Sequence, residues 1–299
     1  MTRPAPRSRE DVVRSLLGAA AAVLLVAGVV VGCSSPGSDS GSSAAGSGSS
    51  EASTATGEPP TLTGAPDPAS VPAPIWQAEP SGSDPLSNFR DTPYNNDGAP
   101  APTVVASPNV PGRQAIRFTM PGGGKRTELE PNIPSNREGD EGYYGFAWYL
   151  PPEFPVYTQG WQVLAQWKNS GEGSPPIEVK VGNGQFMLDG GAGGEDPQEN
   201  YFTLPIGPAR AGQQTDIVVH IKFSTDPTKA VVDVWQNGQK RISNFRPKGG
   251  TRYESDDSYL KTGIYRDSDI SEDTTLFLND ARVARSYESA AALAGPSSS

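Results

Sequence analysis

From about residue 115 onward, apolar residues alternate with polar or small ones at every second position, and almost nowhere recur at the spacing of a helix. Tyr143–Leu150 shows the pattern well: Tyr144, Phe146 and Trp148 share one side, and Gly145, Ala147 and Tyr149 the other. The same reading predicts strands over Ala115–Met120, Thr127–Glu130, Val163–Lys168, Ile177–Val181, Gln185–Leu188, Thr215–Ser224, Ala230–Gln236, Tyr259–Arg266 and Thr274–Ala284. Turn residues separate them. Pro121-Gly122-Gly123-Gly124 follows the first, Gly182-Asn183-Gly184 marks a hairpin, and Asn237-Gly238 precedes Lys240-Arg241. The chain carries 34 Gly and 30 Pro, which break these runs and leave no room for long helices. About ten short strands joined by turns predict an all-β antiparallel sandwich or jelly roll. No internal repeat is visible.

The ends of the chain follow a different pattern. Arg3, Arg7, Arg9 and Arg14 precede an apolar run from Leu16 to Val31, as in an export signal. The run ends in Val30-Val31-Gly32-Cys33-Ser34-Ser35, which resembles the bacterial lipobox. That resemblance implies cleavage before Cys33, lipidation of its thiol, and a membrane-anchored lipoprotein on the outer side of the cytoplasmic membrane. Residues 34–73 are Ser, Gly, Ala, Thr and Pro with almost no large apolar groups, the composition of a flexible tether. The reading is therefore a signal peptide at 1–33, a disordered linker at 34–73, a folded domain at 74–288 and a small-residue tail at 289–299.

Charge and composition narrow the function. A net charge of -10 gives a nucleic-acid partner no electrostatic support. One cysteine forbids an internal disulfide, and one histidine, His220, leaves little for a histidine metal site or a Ser-His-Asp relay. A monomer is expected.

Three strands carry unusual polar faces. Tyr259-Leu260-Lys261-Thr262-Gly263-Ile264-Tyr265-Arg266 sets two phenols and an ammonium on one side, with Gly263 leaving space between Lys261 and Tyr265. Period two puts Arg126, Glu128 and Glu130 together on a second strand, and Gln166 and Lys168 together on a third. If the strands are neighbours, these residues make one patch able to hold an anionic polysaccharide. The plain alternative is a set of half-buried strands with solvated faces.

Arg126-Thr127-Glu128-Leu129, Ala165-Gln166-Trp167-Lys168 and Tyr259–Tyr265 together resemble the jelly-roll polysaccharide lyases, which include the alginate lyases. Glu138-Gly139-Asp140-Glu141-Gly142-Tyr143-Tyr144-Gly145 and Val218-Val219-His220-Ile221-Lys222-Phe223-Ser224 bring the likeness closest to the glucuronan and heparin-lyase-like groups, across residues 115–287. The resemblance implies a concanavalin-like jelly roll and cleavage of a uronic-acid polysaccharide by β-elimination. It assigns Tyr265 as acid and base. Arg126 and Gln166, with Lys168, neutralise the substrate carboxylate, and Lys261, Tyr259 and Glu128 contact substrate. No cofactor is required.

One departure is Lys168, where the relatives usually carry His. It favours the rival reading, a non-catalytic carbohydrate-binding envelope lipoprotein. His220 also has a counterpart in the relatives, but reads as structural. Glu128 and Glu130, roughly 6–7 Å apart on a strand, also invite a glycosidase reading; ion pairing of Glu128 with Arg126 and Lys168 is the simpler account. Asp140, Glu141, Asp267, Asp269, Glu272, Asp273 and Asp280 are candidate ligands for a structural calcium, though no EF-hand spacing is present and solvated loop acids explain them better. Trp148, Trp167 and Trp235 read as core, Trp76 and Trp161 as loop-border rings able to stack on sugar, and Arg266 as support for the fold.

Overall fold

The computed structural model describes residues 71–78, 80, 85–90, 97–171, 173–193, 199–254 and 257–293. The export signal, Cys33, the tether up to residue 70 and the last six residues lie outside the described residues. Along the chain the strands are β1 (Trp76–Gln77), β2 (Thr103–Ala106), β3 (Gln114–Met120), β4 (Arg126–Leu129), β5 (Glu141–Leu150), β6 (Gln162–Asn169) and β7 (Ile177–Gly182). They continue with β8 (Gln185–Gly190), β9 (Phe202–Pro208), β10 (Gln213–Lys222), β11 (Val231–Gln236), β12 (Gln239–Phe245), β13 (Ser258–Arg266) and β14 (Thr274–Ala284). One short helix, α1 (Tyr287–Ala291), follows.

Two antiparallel sheets face each other, as expected of a jelly roll. One has eight strands in the order β12-β11-β10-β5-β14-β3-β2, with β1 also on β14; the other has six, β4-β13-β6-β7-β8-β9. The alternation read from the sequence explains the arrangement. Phe146, Trp148, Ile217, Val219, Ile221, Leu276 and Leu278 point inward from the first sheet, and Leu129, Trp167, Val179, Leu188, Leu260 and Ile264 from the second. Trp148 stacks on Phe146 at 4.7 Å and on Phe186 across the sandwich at 6.2 Å.

Four strands were not predicted from the sequence: β1, β2, β9 and β12, the last marked only by the Asn237-Gly238 turn before it. β9 carries Pro205 and Pro208 and β2 is four residues long. Both are sheet edges, where a missing N–H is tolerated and the period-two signal is weak. β1 has only two residues. The expected tail boundary at 288 is also corrected: α1 runs through it, and Ser289 and Ala290 are buried. The helix packs so closely on β5 that a side chain at Gly145 would meet the Ala290 carbonyl oxygen at 2.1 Å.

Two tryptophan readings change. Trp76 is buried, edge-on to Phe89 at 5.1 Å, and its indole N–H donates to the Asn88 carbonyl at 2.8 Å, so it is not a sugar platform. Trp235 is only partly buried, on the outer face of β11 against Tyr287 of α1 at 4.7 Å, because the fold needs that ring to seat the helix. Arg266 is fully buried and donates to the carbonyls of Gly124 (3.1 Å), Pro121 (2.7 Å) and Glu272 (2.9 Å) and to Thr274 Oγ1 (2.5 Å). It thereby ties the loop before β4 to the turn between β13 and β14. Arg266→Leu should cost about 3 kcal/mol or more, because several buried acceptors lose a charged donor at once. Urea denaturation measures this; a loss below about 1 kcal/mol would show that the loop does not depend on it.

Candidate active site

The face of the six-stranded sheet that turns away from the core gathers most of the polar residues picked out from the sequence. β4, β13 and β6 lie side by side, so the three polar strand faces become one surface. Register sets the rows. Arg126 pairs with Tyr265, which pairs with Val163, which pairs with Lys180. A second row runs Lys261, Gln166, Glu178, Asp189 and Thr203. Tyr259 pairs with Lys168 farther along, and Gly263 with Glu128.

Glu128 is the centre of this surface. Its side chain is 1% exposed, accepts from Gln166 Nε2 at 2.6 Å and pairs with Arg126 Nε at 3.3 Å. Burial pushes its carboxyl above the ordinary range, while Lys261, Arg126 and the Gln166 hydrogen bond pull it only part of the way back. The expected pairing with Lys168 is not found. The Lys168 ammonium instead donates to Asn169 Oδ1 (2.8 Å), the Asn169 carbonyl (3.2 Å) and the Gly171 carbonyl (2.9 Å). A lysine stem is long and flexible, and the loop after β6 offers three oxygens to its ammonium.

The two tyrosines of β13 differ. Arg126 lies over the Tyr265 ring at 4.1 Å and Trp161 meets the same ring edge-on at 4.6 Å, so two side chains clamp this half-buried phenol. Tyr259 lies beside Lys261, whose ammonium is 5.3 Å from the ring centre and 3.6 Å from Glu130 Oε1. Burial first, then Glu130 and Glu128, push the Tyr259 phenol up, which favours its neutral form. Gly263 between them has φ 145°, and a side chain there would meet the Thr127 carbonyl oxygen at 2.3 Å and the Phe118 ring at 2.9 Å. Here β13 carries one more residue than β6 between Thr262 and Tyr265, a bulge that re-aims the Tyr265 end of the strand.

Other expectations fall elsewhere. His220 sits on β10 in the other sheet, with its ring nitrogens 2.8 Å from Asp233 Oδ2 and 2.8 Å from Glu141 Oε1 and its ring stacked on Tyr143. Among the described residues no three His, Cys, Asp or Glu side chains converge on a metal position. Asp140 and Asp273 instead accept from backbone N–H groups, of Arg137 at 2.7 Å and Gly122 at 2.8 Å, and Asp280 pairs with Arg282. A glycosidase needs two accessible carboxyls, and Glu128 is sealed beneath the surface. Unremarked in the sequence were Glu178 and Lys180 on β7, Asp189 on β8 and Tyr201 just before β9. Their signal was the polar residue at every second place between Ile177, Val179 and Val181.

A family model described as polysaccharide lyase matches residues 86–281. Among solved structures, an endo-β-1,4-glucuronan lyase from the fungus Trichoderma reesei is similar at 19% identity and a TM-score of 0.60, covering 73% of this chain and 98% of its own. The alginate lyase A1-II', of polysaccharide lyase family 7, is more distant, at 16% identity and a TM-score of 0.44, covering 57% of this chain and 79% of its own. No curated protein sequence matches the chain. The extent of the family match, on a jelly roll of the same kind, places this chain in the polysaccharide lyase family.

Proposed function

We propose that the protein cleaves a uronic-acid polysaccharide by β-elimination at the surface formed by β4, β13 and β6. The observation that carries this is the clamped Tyr265 phenol beside a paired Arg126 and Gln166, both oriented by the buried Glu128. In this reaction the C5–H bond breaks and its electron pair spreads into the adjacent carboxylate. That pair then forms the C4–C5 double bond as the C4–O bond breaks, and the leaving oxygen takes a proton. The hard step is charge build-up on the uronate carboxylate as C5 loses its proton. Donors aimed at that carboxylate stabilise the charge as it develops. Arg126 and the second N–H of Gln166 supply them, with Lys261 adding positive charge.

Tyr265 then acts twice. As phenolate it takes the C5 proton; as phenol it returns one to the leaving oxygen on the same side of the sugar. Arg126 lies over the ring throughout. A sugar ring laid over Gly263 and Val163 would lie between Tyr265 and Gln166. The glucuronan substrate in the fungal neighbour's name agrees with a uronate. We also propose, on the lipobox-like residues alone, that Cys33 anchors the domain outside the cytoplasmic membrane.

The rival reading, binding without cleavage, draws support from Lys168, which stands where the relatives usually have His and is held by its own loop. Incubation with glucuronan, alginate, heparin and hyaluronan separates the two, because only elimination leaves an ultraviolet-absorbing double bond. Wild type should produce that absorbance on one of them, and Tyr265→Phe should lower kcat by about a hundredfold or more while polymer binding persists. Binding of a polymer with no absorbance from wild type would establish the rival.

Glu128 acts through its neighbours, so Glu128→Gln should lower kcat/KM by about tenfold or more. Its pH signature is separate. The carboxyl lies above its ordinary 4.5 in the folded chain, so the folded state binds this proton more tightly than the unfolded state. The stability it contributes is complete below that ordinary value and is lost as pH rises through the folded one. Glu128→Gln has no such loss. Urea denaturation at about pH 4 and about pH 8 should therefore show the stability difference moving toward the variant as pH rises; movement toward wild type would mean that the ion pairs outweigh burial.

A further inference from the structure

The polar face does not stop at the proposed centre. It continues over β7 and β8 to the start of β9, where Lys180 is held between two carboxylates. Its ammonium contacts Asp189 Oδ2, lies 3.3 Å from Glu178 Oε1 and donates to Tyr201 Oη at 3.2 Å. Glu178 is 0% exposed, Asp189 3% and Lys180 9%, while Tyr201 is 36% exposed. Three buried charges thus form a base, and a phenol stands on it facing solvent.

This cluster lies beside the proposed centre. Tyr265 and Lys180 flank Val163 in one row of the sheet, and Gln166 neighbours Glu178 in the next. Two strand spacings separate Tyr265 from Lys180, about 10 Å. A polymer crossing the strands with one sugar over Val163 sets the next against Tyr201.

The two halves of the face differ in charge. Arg126, Lys168 and Lys261, with Arg90 near Tyr259, outnumber Glu128 and Glu130 on the first half. Lys180 against Glu178 and Asp189 leaves one negative charge on the second. A second uronate there would meet like charge at a site partly closed to water, where screening is weak. A sugar hydroxyl, which both donates and accepts, suits a phenol seated between an ammonium and a carboxylate. The half-open Tyr201 ring also offers an apolar face to the C–H side of a pyranose. Burial pushes the Tyr201 phenol up, in keeping with a neutral donor.

We infer that Tyr201, seated on Lys180, Asp189 and Glu178, is a subsite for an uncharged sugar, so that the preferred polymer places neutral residues beside the uronate it cleaves. This rests on the lyase reading for the centre itself. The alternative is that Lys180 reads a second carboxylate and the polymer is a run of uronates.

The test uses full-length Tyr265→Phe protein, so that ligands survive, and three oligosaccharides of one linkage: glucuronan, glucuronan with about half its carboxyls chemically reduced to neutral hexose, and the fully reduced glucan. Calorimetry should show the half-reduced form binding about tenfold tighter than the fully charged one, and the glucan not at all. Adding Asp189→Asn removes one negative charge and should erase that preference. Should that variant not fold, adding Tyr201→Ala, at a half-open site, should weaken the half-reduced form several-fold more than the charged one. Tighter binding of the fully charged form, unmoved by either variant, overturns the inference and leaves the lyase reading standing if wild type yields the double-bond absorbance. Binding of none of the three, with no absorbance from wild type, removes both together.

Discussion

A carboxylate buried in the face of a sheet is costly, and Glu128 is tolerable only because Arg126, Gln166 and Lys261 surround it. That constraint organises the site. The carboxylate takes one amide hydrogen of Gln166 and the Arg126 Nε edge. Removing any one partner strands a charge, so the cluster holds its geometry before a substrate arrives. For the elimination proposed above, this would place the donors in advance, with little reorganisation left for the reaction to bear.

The same economy appears on β7 and β8, with the signs reversed. There a single lysine satisfies two buried carboxylates, and the excess charge is negative. One sheet therefore presents two electrostatic characters within a few strands. Neither half is an accident of an exposed surface, because most of the charged groups are buried and each meets its partner on the same or the neighbouring strand. On the proposed substrate path, such differences between rows would be a direct means of telling one sugar from the next.

Much of this was legible in the sequence. Period-two alternation marks most of the strands, and the polar faces of β4, β6 and β13 stand out because core strands do not ordinarily carry Arg, Gln, Lys and Tyr at alternate places. Their grouping was inferred only through resemblance, yet Arg126, Glu128, Gln166, Lys261, Tyr259 and Tyr265 do share a face. The edge strands β2 and β9 were missed because prolines and short length hide alternation at positions that pair on one side only. Lys168 illustrates a different limit: period two gives the side from which a chain leaves the backbone, but not where a flexible ammonium comes to rest.

What the sequence determined by itself, then, was the class of fold and the side of each strand on which chemistry stands, since both follow from a local repeat of two residues. What only the tertiary structure decided was pairing. That Glu128 lies against Gln166 and not Lys168, that β13 bulges at Gly263, and that Lys180 sits across Val163 from Tyr265 all depend on strand order and register. These are set by the packing of distant segments into one core, and a one-residue slip in any of them would assemble a different site from the same residues.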